Sequence, residues 1–409
     1  MIDSGNTAWM LMSCALVLLM TPGLAIFYGG MVRAKNVLST LLHSFFAMGL
    51  ATLAWVTLGY SLAFGQGNRF IGGFEYAFLQ GVGTEPGPFA DDIPHIVFVA
   101  FQMMFAIITP ALISGAFAER IRFRAYVVFT LVWSLLVYAP VCHWVWGPGG
   151  WLGELGALDF AGGTVVHVNS GVAALAMILV LGRRIDWQKA SIRPHNLALT
   201  LLGAGLLWFG WFGFNAGSAL AANGDAGWAF MVTHVAAATG AITWAGVETF
   251  HRKHTSALGV ASGAVAGLVA ITPACAFVGL GGALAIGAGA GILCYLGVLL
   301  KERFGYDDSL DAFGVHGLGG AWGALATGIF AVSAVGGASG LIEGNFEIVG
   351  IQVISILATA AYTFGVTYAL SWALDRFMGL RVPEHHERTG LDLIEHGEAG
   401  YAIDEPVEA

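Results

Sequence analysis

The chain has 409 residues, 57% hydrophobic and only 11% charged, with 59 glycines and a formal net charge of −9 at pH 7. A soluble protein carries roughly 25% charged residues, so this composition excludes a soluble globular domain and points to a polytopic helical membrane protein. The negative charge does not signal basic partners, because 8 of the 26 acids fall between Glu384 and Glu408 and others line loops such as Glu75, Asp91 and Asp92.

In chain order, windows free of Asp, Glu, Lys and Arg run over 4–32, 36–68, 93–118, 125–153, 160–182, 194–224, 226–247, 254–300, 312–342 and 348–374. A span needs about 20 apolar residues, so nine windows hold one helix each. The window 254–300 holds two, with a turn at Pro273. The expected spans are therefore about 5–32, 38–63, 93–118, 125–145, 160–182, 195–217, 226–248, 256–272, 277–299, 311–331 and 349–375. The first lacks a basic leader and reads as a retained span. Residues 64–92 form a long loop, and 379–409 form a polar tail after a membrane domain over 1–378.

The alternation of loops sorts 16 of the 17 Lys and Arg residues to one side and leaves Arg69 alone on the other. The positive-inside rule makes the basic side cytoplasmic. Eleven spans then place the N-terminus outside and the C-terminus inside. Cys14, Cys142, Cys275 and Cys294 stand far apart with no metal spacing and read as packing residues.

Two histidines break the apolar pattern. His167 lies in "GGTVVHVNSG" and His316 in "DAFGVHGLGG", each eight residues after an aspartate (Asp159, Asp308) and four before a glycine (Gly171, Gly320). Eight residues are about 12 Å of helix. The fifth and tenth spans run in opposite directions, so both imidazoles reach toward the bilayer middle. The echo suggests five spans repeated with inverted topology, an arrangement that commonly places a transport site at the midplane. Intramembrane ionisable groups mark a pathway or site by default. His43 and His234, lacking such a match, read as hydrogen-bonded core residues. A bis-histidine haem also suits two membrane helices. A metal site lacks the further ligands it needs, so no metal and no cofactor is expected. Asp159 reads as a helix cap, and Asp308 with Asp311 as groups that cap and solvate the start of the tenth helix.

Aromatic side chains concentrate in "FQMMFAIITPALISGAFAERIRFRA", "HWVWGPGGW" and "WFGFNAGSA". Singly they are core or lipid-belt residues, and together they offer π faces and a hydroxyl to a small cation.

"TPGLAIFYGGMVRAKNVLS", "GAFAERIRF", "LDFAGGTVVHVNSG", "WFGFNAGSA", "FGVHGLGG" and "GLRVPEHHERTGLDLIEHGEAGY" together resemble the Amt/MEP/Rh ammonium transporter family over essentially the whole chain. Trp146, Ser218 and "GLDLIEHGE" look like its bacterial Amt branch. The resemblance implies an all-α homotrimer in the bacterial inner membrane, with a pore in each protomer and no enzymatic activity. It implies that Trp146, Ser218 and Phe105 recruit the cation, with Asp159 supporting them from behind. Phe105 and Phe214 would stack as a gate, and His167 and His316 would be hydrogen-bonded twins along the lumen. Pro148 departs from the family pattern in the loop after Trp146. The resemblance further implies that the tail packs on a neighbouring protomer and that a PII-type signal protein plugs the cytoplasmic mouth, with no nucleic-acid partner.

This set of groups suits ammonium. A hydroxyl accepts its proton and aromatic faces attract its charge, while a dry lumen penalises the ion. Ammonium escapes that penalty by yielding a proton and crossing as ammonia, and neutral imidazoles can relay the proton. Two other functions remain: an ammonium sensor that reports to a cytoplasmic partner, which would carry an appended signalling domain, and a membrane haem oxidoreductase.

Overall fold

A bilayer offers no water to backbone amides, so a charge-free stretch closes its hydrogen bonds within a helix. The computed structural model describes residues 1–190 and 192–401, and among these nine helices are long and apolar enough to cross a membrane. They are α1 (Ser4–Met31), α2 (Ala34–Phe64), α3 (His95–Phe117), α4 (Phe123–Glu154), α5 (Gly163–Leu181), α6 (Leu197–Gly217), α7 (Gly224–Arg252), α9 (Leu280–Phe304) and α11 (Glu347–Met378). Two shorter helices lie among them in sequence: α8 (Ala257–Ile271), and α10, whose π-helical turn Phe313–Gly317 continues as Leu318–Phe330. The tail adds α12 (Glu384–Thr389) and α13 (Leu391–His396).

Polar side chains start several of these helices. Asp3 accepts the amide of Asn6 at α1, Asn196 that of Leu199 at α6, Asn223 that of Ala226 at α7 and Ser256 that of Gly259 at α8. Each such cap satisfies an otherwise orphaned amide and contributes about 1 kcal/mol. Without a hydrophobic drive between helices in lipid, close approach supplies the packing energy. At the α7–α8 contact a Cβ on Gly240 would stand 2.5 Å from the carbonyl oxygen of Gly263, so only glycine lets these backbones meet.

The basic loops gather into one buried ion network. Arg33 and Arg184 both pair with Glu119, at 2.9 and 3.0 Å, and Arg184 also pairs with Asp307 at 2.8 Å. Arg120 donates to the Asp307 carbonyl at 2.6 Å. Burial alone would raise the Glu119 carboxyl, but Arg184 and Arg33 outweigh it and hold it below the usual carboxylate range. Asp307 is likewise held low, burial being outweighed by Arg184 and Arg120. These contacts join the ends of α1, α3, α5 and α9.

The tail docks on the same face of its own chain. Asp392 in α13 accepts the amides of Leu38 and Ser39, at 3.0 and 2.8 Å, in the first turns of α2. Asn36, where the opening 3-10 turn of α2 gives way to α-helix at Val37, makes no side-chain cap bond there; it accepts the amide of Leu391 and donates to Glu119. Glu387 accepts the amide of Ile185 and pairs with Arg381. The polar composition that favours a solvated end is thus used in specific contacts as far as Tyr401, which meets His195 at 2.8 Å. The last part of the expected tail, 402–409, lies outside the described residues.

On the opposite face a hairpin, β1 (Pro86–Gly87) and β2 (Ala90–Pro94), precedes α3.

Candidate functional site: two facing histidines beneath an aromatic cavity

The site is built from two helix starts. At the entry to α5, both carboxylate oxygens of Asp159 are used: they accept the amides of Gly162, Gly163, Thr164 and Val165 and the Thr164 hydroxyl, at 2.5–3.2 Å. Ahead of α10, Asp308 accepts the amides of Ala312 and Phe313 at 3.0 and 2.8 Å. Both aspartates are capping groups. Asp311 does not share that role; its backbone has φ of 63° and its carboxylate pairs with Lys301.

Each capped start runs directly into a π-helical turn, Gly163–Val168 in α5 and Phe313–Gly317 in α10, and each turn carries one of the two histidines. A π turn inserts a residue and rotates the helix beyond it, and such turns are frequent at functional sites. The two turns face each other. A Cβ on Gly320 would lie 2.8 Å from both the Cβ of His167 and the carbonyl oxygen of Gly163, and one on Gly171 would fall on the Gly317 backbone. Reciprocal glycines thus let each helix press against the turn that carries the other's histidine.

His167 and His316 are buried, with their Nδ1 atoms 3.3 Å apart and ring planes 20° from parallel. One Nδ1 donates and the other accepts, so the pair holds a single proton between its facing nitrogens. His167 also stacks on Trp211 and on Phe214, with centroids at 5.4 and 6.0 Å. Its Nε2 has no hydrogen-bond partner among the described residues. Both rings line a cavity of about 10 Å³ otherwise walled by apolar residues such as Leu112, Leu207 and Val265, the room of about one water molecule. Among the described residues no group of three or more His, Cys, Asp or Glu is placed to hold a metal.

Above the histidines lie Phe105 from α3 and Phe214 from α6, buried, with ring centroids 4.4 Å apart. The pair lies between the histidines and a wider cavity. Beyond them opens a cavity of about 220 Å³ on the face away from the basic loops, lined by Phe105, Trp146, Ser218 and Gln102 among others. Trp146 meets Phe105 nearly edge-on, with centroids at 5.8 Å, and its indole N–H donates to the Asp159 carbonyl at 2.8 Å. Asp159 therefore reaches the cavity through its backbone, by holding Trp146, while its carboxylate is spent on α5. Ser218 donates to the Phe214 carbonyl at 2.9 Å, which leaves its oxygen free to accept.

The structure brings Phe105, Trp146, Ser218, Phe214, His167 and His316 onto one path. Gln102, present in the aromatic segment but given no site role from sequence, joins them, and its Oε1 is buried with no donor among the described residues. Its position between Phe98 and Phe105 on one helical face was the available signal. Two other histidines depart from expectation. His43 packs against Phe117, Phe123 and Tyr126, yet neither ring nitrogen has a partner. His234 is exposed on α7, beside Trp208.

Comparison with known proteins fits this geometry. Residues 8–401 match the family described as the Ammonium Transporter Family. An ammonium transporter of Bacillus subtilis (strain 168) is 53% identical over 400 residues, covering 97% of this chain and 98% of the relative. Among solved structures, Saccharomyces cerevisiae Mep2 matches with a TM-score of 0.88 at 36% identity, over 94% of this chain and 88% of that one. A protein titled "Sensor Amt Protein" matches with a TM-score of 0.89 at 31% identity, over 96% of this chain and 98% of that one. The chain belongs to the Ammonium Transporter Family and is a multi-pass protein of the cell membrane, a transporter-type protein rather than an enzyme.

Proposed function

We propose that this chain carries ammonium nitrogen across the membrane by binding the cation outside a gate and passing ammonia, with or without the proton, along the twin histidines. The observation that carries this reading is the Nδ1-to-Nδ1 pair of His167 and His316 in a narrow, apolar-walled cavity directly beneath the Phe105–Phe214 stack. Trp146 attracts the cation through its ring, Ser218 accepts one of its N–H bonds and Phe105 closes the far side. Asp159 supports the site by seating Trp146. Below the gate a bare ion is penalised by desolvation, and imidazoles that share one proton can take another and hand it on.

The reading includes eleven spans with the N-terminus outside, the C-terminus cytoplasmic and an inverted five-plus-five repeat. The equivalent capping of α5 and α10 by Asp159 and Asp308, and the reciprocal seating of Gly171 and Gly320, support the repeat. A homotrimer with one pore per protomer and a PII-type partner at the cytoplasmic face complete the proposal. The likeness to a sensor protein favours no separate sensing role, because the passage features are those a conducting protein needs.

The test is an ammonium pulse on liposomes containing the purified protein, recording current and internal pH together. Uptake with current means net ammonium transport, and uptake with internal alkalinisation and no current means ammonia. No uptake above empty liposomes would refute the proposal.

A further inference from the structure

The cavity outside Trp146 is deeper than one ammonium site requires. Its wall includes Phe64, Phe89 and Phe98 besides the residues nearer the gate. Phe98, Gln102 and Phe105 share one face of α3, and seven residues of helix put Phe98 about 10 Å outward of the gate residue. Phe89 comes from elsewhere, the tip of the β1–β2 hairpin, where Gly87 pairs with Ala90. It stacks on Phe98, with centroids at 5.0 Å and planes 19° apart, and meets Phe64 at 5.2 Å.

The hairpin is held firmly. Asp92 accepts from the Asp3 amide through its carbonyl at 2.8 Å and from the Asn6 side chain through its carboxylate at 2.5 Å. At its base, His95 bonds the Tyr60 hydroxyl at 2.5 Å, and the His95 amide donates to Glu85 at 2.9 Å. A Cβ on Gly87 would stand 2.5 Å from the His95 ring, so the strand lies tight on that histidine. Phe89 is therefore a fixed lip over the mouth. Between lip and gate, the buried Oε1 of Gln102 lacks a donor, an arrangement that costs free energy until something brings an N–H.

We propose that Phe89, Phe98 and Gln102 form an outer subsite that takes up ammonium or a small primary alkylammonium cation before it reaches Trp146. The aromatic rings attract its charge and Gln102 accepts an N–H bond. The hairpin tip sets how large a substituent enters. This rests on the reading of the chain as an ammonium transporter.

The experiment measures the concentration dependence of ammonium and methylammonium flux in liposomes for Phe89→Leu, Phe89→Tyr, Gln102→Leu and, as reference, Trp146→Leu. Phe89→Leu keeps apolar bulk and removes the ring, so the half-saturating concentration is expected to rise about 2- to 30-fold, the range of one cation–π contact. The maximal rate should hold, and Phe89→Tyr should restore the wild-type value. Gln102→Leu should raise half-saturation about 2- to 10-fold, the loss of one hydrogen bond, and more for ammonium than for methylammonium, which has one N–H fewer. Wild-type half-saturation in Phe89→Leu and Gln102→Leu, with Trp146→Leu altered, overturns the outer subsite and leaves the transporter reading standing. No saturable flux in the wild-type protein would instead remove the reading on which it rests.

Discussion

Nδ1 of His167 and Nδ1 of His316 lie 3.3 Å apart, each held there by a π-helical turn that the opposite helix presses upon. Because the two atoms can share only one proton, each ring depends on its partner for its tautomer. His167→Ala and His316→Ala are each expected to leave a folded protein that has lost normal ammonium flux or its selectivity over potassium. Liposome flux with both cations checks this, and wild-type flux with wild-type selectivity in both variants would remove the twin-histidine mechanism.

The outer cavity leads to a second expectation. Trp146→Leu removes one ring from the cation, worth about 0.5–2 kcal/mol, and Ser218→Ala removes an acceptor. Half-saturating ammonium should rise in both while the maximal rate changes little. Unchanged concentration dependence would place recruitment elsewhere.

Gly171 and Gly320 meet the opposite π turn at backbone distance. Alanine at either position overpacks that contact at a cost of about 1–3 kcal/mol and displaces the histidine pair. Gly49→Ala serves as a control, since a Cβ there meets nothing within 4 Å. Thermal unfolding in detergent should fall for Gly171→Ala and Gly320→Ala and not for Gly49→Ala. Equal midpoints in all three would contradict the close packing.

The ion network at the basic face should respond to pH in one direction. Glu119 and Asp307 are held below the ordinary carboxylate range by Arg184, with Arg33 and Arg120, against the effect of burial. A depressed carboxyl contributes stability that is present above its unfolded value and lost as pH falls through its folded one. The contribution should therefore be full from pH 7 to 5, begin to fall below about pH 4.5 and be lost only as the depressed carboxyls themselves take up protons. Glu119→Gln leaves Arg33 and Arg184 short of a partner and should cost about 3–5 kcal/mol. Unfolding midpoints across that pH range compare the two proteins, and an identical pH profile would show that Glu119 plays no part in it.

The tail supplies the cap that Asn36 does not give to α2. Asp392→Ala should cost about 1 kcal/mol and expose the tail to limited proteolysis. Deleting residues 383–409 should spare membrane insertion and lower transport. A truncated protein with full flux would make the docked tail dispensable.

Much of this was legible in the linear chain. Lipid acts on each residue separately, so charge-free windows announce the long helices without knowledge of their neighbours. The echo around His167 and His316 marked both helix starts because capping is local: an aspartate reaches amides only a few residues away. Family motifs pointed to Trp146, Ser218 and the two phenylalanines. Gln102 received no role beside Phe101 and Phe105 because a glutamine among apolar residues declares itself only when its Oε1 is found without a donor.

The chain order determined by itself a membrane protein of long apolar helices with two histidines set apart by matched flanks. Hydropathy and capping depend on near neighbours, and near neighbours are written in order. The tertiary structure decided the rest: that the imidazoles meet through Nδ1, that Asp159 serves the outer cavity through its carbonyl, that Phe89 reaches the mouth from a hairpin, and that Asp392 caps a helix more than 350 residues away. Each of these is a contact between different elements, set by their packing and by π turns whose extra residue leaves no periodic mark in composition.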